Sequence, residues 1–538
     1  MIESPHVRLS ELFAGVEGWR LAGAGDTPIT SLTYRSDRAL PGCLFFCVPG
    51  FVRDGHDFAA DAVERGAVAL CLERSLDLPV AQVLVPSVRL AMGPVAAAFY
   101  DHPGSRLATV GITGTNGKTT SAFLIAHLLD RLGMRAGLMG TVERRIGGQT
   151  LVAGRTTPEA LDVQRDLAQM VEAGDRAAVM EVSSHALDLG RARGIEFRVV
   201  AFTNLSQDHL DYHKNLEDYF AAKSRLFLEP GFTRPQTAAV INVNDSFGRR
   251  LAQRMERGRV LSFSTAPVPE WGPTDLELTE CSINAEGTRG TLVIRGTALE
   301  RMSLQARRRT PGESTGAVSA ATAGWVSGAG GGEARVDVAT RLVGAFNAAN
   351  VVTALGVGIG LGLDIDRMVA ALRDFDGVPG RMEPVNAGQD FAVLVDYAHT
   401  PDSVASVLRA ARDITEGRLF AVLGCGGDRD RTKRPLMGRE AEKVADVVVI
   451  TSDNPRSEDP SAIIADILGG LEDPGSATVQ PDRRAAIHTA LEQARTGDVV
   501  MILGKGHESG QEFATETVPF DDRKVARELL DVLLAESE

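Results

Sequence analysis

A surplus of basic residues is what this sequence most clearly lacks. Its 57 Lys and Arg stand against 71 Asp and Glu, a formal net charge of −14. Nucleic-acid binding depends on neutralising phosphates with Lys and Arg, so no nucleic acid is expected as a general partner. A small anionic ligand needs only a local cluster and stays open. Cysteine is sparse too: five, at 43, 47, 71, 281 and 425, an odd number with no C-x-x-C pair. Reduced thiols in a cytoplasm fit that usage better than a disulfide framework or a zinc site. No apolar run is as long as a membrane span; VVTALGVGIGLGL (351–363) is short and glycine-rich. The opening MIESPHVRLSELF has no basic stretch ahead of an apolar core, so no secretion signal is expected. The expected setting is cytoplasmic, without membrane insertion.

What is present is a large soluble α/β protein. Hydrophobic residues at 44% and charged residues at 24% are globular proportions, and 538 residues exceed one ordinary domain. Short apolar runs, CLFFCV (43–48) and AVALCL (67–72), flank a helical stretch near DFAADAVERG, a small α/β unit that ends in the turn-rich DHPGSRL (101–107). From Leu107 onward, strand candidates LATVGI, AAVMEV (177–182), VVAFTN (199–204) and AAVINV (238–243) alternate with helix-length text, which indicates a parallel sheet. After GVPGRMEP (377–384) a third series follows: FAVLVD (391–396), LFAVLG (419–424), ADVVVI (445–450) and DVVMIL (498–503). Each runs into a polar or glycine-rich loop, where an α/β sheet collects ligand residues. The expected domains are 1–103, 104–381 and 382–538. Residues 306–333, rich in Arg, Gly, Ser and Ala without periodicity, are expected to form a flexible insertion.

The strongest local pattern is GITGTNGKTT (111–120), with a strand before it and the helix TTSAFLIAHLLDRLG after it. A phosphate loop needs this context: backbone N–H groups and the helix N-terminus receive phosphates, Lys118 reaches the outer oxygens, and Thr119 can ligate Mg²⁺. The first glycine of the usual spacing should fall at Ile112; Gly114 and Gly117 supply the flexibility. Glu181, at the end of AAVME, is placed as the acidic residue that such a nucleotide site uses for metal or water. No guanine-reading N-K-x-D is found, which favours ATP. In LEDYFAAKSRLF (216–227), Leu216, Tyr219, Phe220, Leu226 and Phe227 mark an apolar helix face that also carries Lys223. That lysine either snorkels to water or is functional. Just upstream, TNLSQDHLDYH (203–213) holds His209, a metal ligand or a structural histidine.

TSDNPRSEDP (451–460) follows the run ADVVVI. Asp453, Asn454 and Pro455 form turns readily, so Arg456 is either surface decoration or aimed at an anion. The residues alone leave both open.

Taken in order, TGTNGKTT, MEVSSH, TNLSQDHLDYH, the AAK of 221–223, GAFNAAN (344–350), GVPGRME, DYAHTP (396–401), GCGGDRDRTKRPLMG, DNPR and GKGHE (504–508) resemble the Mur ligase family, the ATP-dependent amino-acid ligases of peptidoglycan synthesis. The resemblance spans nearly the whole chain. It implies an N-terminal UDP-sugar-binding α/β domain, a central P-loop ATPase domain with a parallel sheet, and a C-terminal Rossmann-like domain that brings the amino acid. It also implies a monomer. Within the family, the motifs look like those of members that join meso-diaminopimelate to the D-glutamyl γ-carboxylate of a UDP-N-acetylmuramoyl dipeptide.

The resemblance further implies roles for residues. Gly114, Thr115, Asn116, Gly117, Lys118, Thr119 and Thr120, with Asn347, Arg381 and Asp396, would bind ATP. Thr119, Glu181, His209 and Lys223, the last as an N6-carboxylated carbamate, would hold two Mg²⁺ ions. Lys118, Glu181, His209 and Lys223 would form the catalytic set. Ser36, Phe51, Val52, Arg53, Arg155, Thr156, Thr157, Ser183, Leu189 and Arg191 would bind the UDP-sugar peptide, Leu189 standing where many relatives carry Gln. Arg429, Asp453, Asn454, Pro455, Arg456, Gly504 and Glu508 would bind diaminopimelate. Diaminopimelate ends in an ammonium and a carboxylate, lysine in an ammonium only. Arg456 can grip the extra carboxylate through two N–H···O bonds, and Glu508 or Asp453 can take the ammonium.

Overall fold

The computed structural model describes residues 7–23, 25–50, 52–209, 212–284, 287–308 and 332–537. The chain is α/β and falls into two compact units: Met1–Thr113 with Leu129–Ala201 and Ala221–Ala239, and Gly114–Leu128 with Phe202–Phe220 and Val240–Glu538.

The first unit holds two groups of strands. The smaller is a five-stranded sheet ordered Arg20–Ala22, Ala81–Leu84, Ala67–Leu72, Cys43–Phe46, Ser31–Thr33, parallel except for its first strand. Alternate residues of Cys43–Phe46 enter opposite cores: Leu44 and Phe46 pack with the helix Val88–Phe99, while Cys43 and Phe45 pack with Ala59 and Ala62 of the helix Ala59–Glu64. That is the period of two at work, with helices covering both faces. The second group runs Gln149–Val152, Glu143–Ile146, Ala136–Met139, Ala177–Glu181, Ala108–Thr113, Phe197–Phe202, Thr233–Asn242. Ala108–Thr113, Ala136–Met139 and Ala177–Glu181 are parallel, and an antiparallel hairpin, 143–152, extends the edge.

The second unit contains Val260–Ser264 paired in parallel with Leu276–Asn284, and then an antiparallel ribbon of Leu276–Asn284, Gly287–Ile294 and Ala334–Thr340. The expected parallel sheet is therefore a mixed one. The helix Gly296–Arg308 takes in residues 306–308 of the expected insertion; residues 309–331 of it lie outside the described residues.

A six-stranded sheet follows in the order Glu383–Pro384, Ala392–Asp396, Val499–Leu503, Leu419–Leu423, Val447–Ile450, Thr478–Val479, all parallel but the first. Leu419, Ala421 and Leu423 face one core with the helices Pro401–Arg412, Lys433–Val444 and Pro460–Leu468. Phe420 and Val422 face the other, with Arg483–Gln493 and Asp522–Ser537. Four adjacent parallel strands thus end along one edge, and their loops carry DYAHTP, GKGHE, GCGGDRD and TSDNPR. Strand order is what brings residues 396, 504, 429 and 453 together.

Candidate active site

The phosphate loop is laced to the segment after Phe202. Thr115 N donates to Asn204 O (2.9 Å), Asn116 N to Asn204 Oδ1 (2.9 Å), and Thr203 Oγ1 to Asn116 O (2.6 Å). Gly114 has φ +153°, and a Cβ there would sit 1.9 Å from Thr203 Oγ1. Gly117, at φ +81°, would place one 2.3 Å from Asn350 Oδ1. Both positions require glycine. Asn350 accepts from Ser121 Oγ and donates to Asn347 Oδ1 (3.0 Å), so the helix Ala345–Leu361 buttresses the loop with both asparagines. Lys118 Nζ donates to Gly114 O (3.0 Å) and Thr115 O (2.7 Å), curling over the loop that a phosphate would enter.

Residues from beyond 380 reach the same loop. Arg381 Nη2 donates to Thr119 Oγ1 (3.4 Å), and its guanidinium lies 4.5 Å from the centre of the Tyr397 ring. Asp396 accepts from Met382 N (2.8 Å) and Ala398 N (2.7 Å), which fixes the chain beside Arg381; burial raises its pKa and Arg381 opposes that. Asp402 Oδ2 accepts from Asn116 Nδ2 (3.0 Å) and Ser206 Oγ (3.1 Å). His209 has φ +55°, and its neighbour Asp208 is held down at about 2: burial raises the carboxyl, but His209, His399 and Lys433 outweigh it.

The second assembly sits at the strand ends 423, 450 and 503. Asp453, Asn454 and Pro455 are buried, and Gly504, at φ +115°, passes close to Asp453. Arg456 adopts φ +51°, a left-handed conformation that costs a non-glycine residue on the order of 1 kcal/mol or more. Asp428, beside Arg429, has φ +53° and Met382, beside Arg381, φ +46°. Strain of this kind gathers at ligand sites. Arg456 Nε donates to Glu512 Oε2 (2.6 Å) and Nη1 to Gly427 O (2.8 Å), so only the outer edge of the guanidinium is left for an anion. Arg429 is exposed, donating to Asp428 O. Glu508 has a raised pKa because it is buried beside Asp453, an effect that Lys505 opposes.

In the first unit, Glu181 is fully buried and accepts from Thr141 N (2.8 Å) and Thr141 Oγ1 (3.1 Å). Thr156 Oγ1 meets Thr141 Oγ1 (3.0 Å), Thr157 Oγ1 donates to Glu181 O (2.9 Å), and Ser183 caps the helix Ser184–Asp188. Arg191 ion-pairs with Glu159 (2.9 Å), as does Arg155 (2.8 Å). A cavity of about 310 Å³ is lined by Tyr34, Arg35, Arg38, Arg144, Arg155 and Arg165 among others. Lys223 is 1% exposed, which rules out snorkelling.

Residues 112–312 match the model of the Mur ligase middle domain, 380–506 that of the Mur ligase glutamate ligase domain, and 28–100 that of the Mur ligase family catalytic domain. A UDP-N-acetylmuramoyl-L-alanyl-D-glutamate--2,6-diaminopimelate ligase of Synechococcus elongatus is 44% identical over 512 residues, covering 93% of this chain and 94% of the relative. The chain belongs to the Mur ligase family. A ligase of the same name from Geobacillus thermodenitrificans is 41% identical, over 97% of this chain and 99% of its own length. The solved structure of a UDP-N-acetylmuramoyl-L-alanyl-D-glutamate--2,6-diaminopimelate ligase, 30% identical, superposes with a TM-score of 0.65 over 98% of this chain and 99% of that one. The three-domain α/β architecture expected of a Mur ligase is thereby established.

Within this Mur ligase, the structure joins Thr156, Thr157, Ser183 and Arg191 into one network and brings Asp453, Asn454, Arg456, Gly504 and Glu508 together. Val52, 93% exposed, and Arg53 form an exposed loop tip with no hydrogen bond from Arg53's side chain to that network among the described residues; Phe51 lies outside them. Ser36 opens the short helical turn Ser36–Arg38, and Leu189 caps the helix Ser184–Asp188 with its backbone. Sequence reasoning missed Asp402, Glu159, Lys505, Glu512 and Arg483. Glu159, two residues after Thr157, Lys505, inside GKGHE, and Asp402, just after DYAHTP, had a positional signal.

Arg483 shows how the pocket loops are held. Its fully buried side chain pairs with the equally buried Asp522 (2.7 Å) and donates to Ser452 O (3.2 Å) and Leu503 O (2.9 Å), the residues just before Asp453 and Gly504. Breaking a buried pair strands a charge, so Arg483→Leu is expected to lower unfolding stability by roughly 3–5 kcal/mol. A denaturant melt measures this, and a loss below about 1 kcal/mol would show that Asp522 finds other partners.

Proposed function

We propose that this chain is an ATP-dependent ligase that joins meso-2,6-diaminopimelate to the D-glutamyl γ-carboxylate of UDP-N-acetylmuramoyl-L-alanyl-D-glutamate, in peptidoglycan precursor synthesis. The observation that carries the reading is the meeting of the pocket loops at Asn454, whose side chain donates to Glu508 and accepts from the N–H of Glu512, the ion-pair partner of Arg456, so that groups of both signs gather for a zwitterionic end group. The names of the relatives agree with it.

The chemistry follows from the weakness of a carboxylate as an acylating agent. Its oxygen attacks the γ-phosphorus of ATP and ADP leaves; the amine then attacks the acyl carbon and phosphate leaves. Lys118, released from the carbonyls of Gly114 and Thr115, would turn to the phosphates, with the loop N–H groups around them. Arg381, Asn347 and Asp396 would hold the nucleotide. The cavity at Tyr34 and Arg155, where Arg35, Arg38, Arg144, Arg155 and Arg165 outnumber Glu159 and Asp162, has a positive balance of charge for the diphosphate of the UDP-sugar, and Thr156, Thr157, Ser183 and Arg191 would place the peptide beside Glu181.

Magnesium fits the donors present. No group of three or more His, Cys, Asp or Glu forms a metal cluster among the described residues. Mg²⁺ takes one or two carboxylates and completes its shell with phosphates and water. Glu181 and Lys223, the latter as a carbamate, are the candidate donors of the first unit and Thr119 and His209 those of the second, for two such ions that would neutralise charge on the transferring phosphoryl group. ATP and a UDP-sugar as substrates imply the cytoplasm.

The test is ADP release with purified chain, ATP, Mg²⁺, the UDP-muramoyl dipeptide and diaminopimelate. Sustained release, beyond one ADP per chain, is expected only when all are present. ADP release without either acceptor would point to an ATP-binding protein of another kind, and release with a folate or a UDP-tripeptide in place of the dipeptide to another ligase.

A further inference from the structure

Lys505 lies between Gly504 and Gly506, in a loop whose composition reads as solvent-facing, yet it is 0% exposed. An ammonium withdrawn from water must be paired. Its Nζ donates to Asn454 Oδ1 (2.8 Å) and lies 3.4 Å from Asp453 Oδ1 and 3.3 Å from Glu508 Oε2. These contacts also orient the Asn454 amide. Its Oδ1 accepts from Lys505 and from Glu512 N (3.0 Å), which turns Nδ2 to donate to Glu508 Oε2 (2.8 Å). Glu508 is thus held by one oxygen. Its Oε1, and Oδ2 of Asp453, take no hydrogen bond among the described residues.

The charges can be counted. Asp453 and Glu508 are two negative groups and Lys505 one positive group, while Arg456 is neutralised by Glu512 and Arg429 is exposed. Arg483 faces the pair from its helix, but Asp522 neutralises it; Tyr397 faces Glu508 as a neutral phenol. We infer that Lys505 is a positioning residue that sets this pocket at one net negative charge, matched to a single ammonium, and through Asn454 aims Glu508 at it. The inference rests on the ligase reading above. Without Lys505, two carboxylates would face each other without a cation between them, and like charges favour a proton on one of them.

The test uses the full chain with Lys505→Met and with Lys505→Gln, the latter keeping a donor for Asn454. At pH 7 both should raise the diaminopimelate KM roughly 50-fold, as loss of one member of a buried charge set does, with the KM for ATP and for the UDP-dipeptide within about twofold. Raising the pH should change that KM in the variants as the shared proton leaves, and leave it level in the wild type. A rise that is the same at every pH, or equal for all three substrates, makes Lys505 merely structural and overturns the inference. An unaltered KM overturns it too. If neither variant folds, Asp453→Asn decides: removing one negative charge should raise the diaminopimelate KM about 20-fold or more, and an unchanged KM overturns the charge count. Wild-type chain that releases no ADP with these substrates overturns the ligase reading itself.

Discussion

Lys223→Ala should lower ADP release by ~10³-fold or more, the scale of losing a preorganised charged group at a phosphoryl centre, and short-chain carboxylic acids should restore part of it. The expectation starts from position. Lys223 lies in the helix Leu216–Leu228 on the face of Tyr219, Phe220, Leu226 and Phe227, all buried, and is itself 1% exposed. A lysine there is not reaching for water. The neutral form of a lysine amine is the one that adds CO₂ to give a carbamate. The change converts a cation into an anion, which is what a Mg²⁺ ion would need from that helix. A carboxylic acid diffusing into the space left by alanine carries the same charge and the same pair of oxygens, so rescue reports chemistry rather than packing. Full activity of the unassisted variant would rule out a catalytic carbamate. Loss without rescue, accompanied by a lower melting temperature, would make Lys223 a packing residue.

How much of this was readable beforehand depends on whether an element's identity lies in its own residues. The strands 67–72, 392–396, 419–423 and 499–503 were legible because both faces of each are covered, so they read as unbroken apolar runs. The phosphate loop was legible because glycines at 114 and 117 are demanded locally. The ribbon of Leu276–Asn284, Gly287–Ile294 and Ala334–Thr340 was not, since its strands mix charged, Thr and Gly residues and its third strand returns from 40 residues away. The pocket at 453–508 lay between these cases. Its motifs could be recognised, but Lys505 reads as exposed until the strand order sets its loop against the loop after Ile450. Glu512, the partner of Arg456, is on a hairpin of Gly510–Glu512 and Thr517–Pro519 with no apolar signature. Tertiary placement, not residue type, made both of them functional candidates.

Diaminopimelate should be preferred over lysine by on the order of 10⁴ in kcat/KM, the margin reached when a site built for a polar group is offered an analogue without it. On the function proposed above, Arg456 would carry this margin. Its backbone is held left-handed at φ +51°, its Nη1 is tied to Gly427 O, and its Nε to Glu512. The guanidinium is therefore fixed before substrate arrives, with its remaining N–H groups left for an incoming anion. Lysine would leave that edge without an anion while still satisfying the acidic pair, so discrimination falls on the distal carboxylate alone. Arg456→Ala should raise the diaminopimelate KM roughly 100-fold, the cost of truncating a buried charge pair, and leave the KM for ATP within about twofold. Arg456→Lys should recover little, because an ammonium cannot present two parallel donors to one carboxylate. The ratio of diaminopimelate to lysine turnover should collapse in both variants, since lysine never used the arginine. Similar changes in the KM for ATP and for diaminopimelate would reduce Arg456 to a turn residue. Equal turnover of the two amino acids by the wild-type chain would remove the specificity claim, and leave the strained arginine needing another anion to explain it.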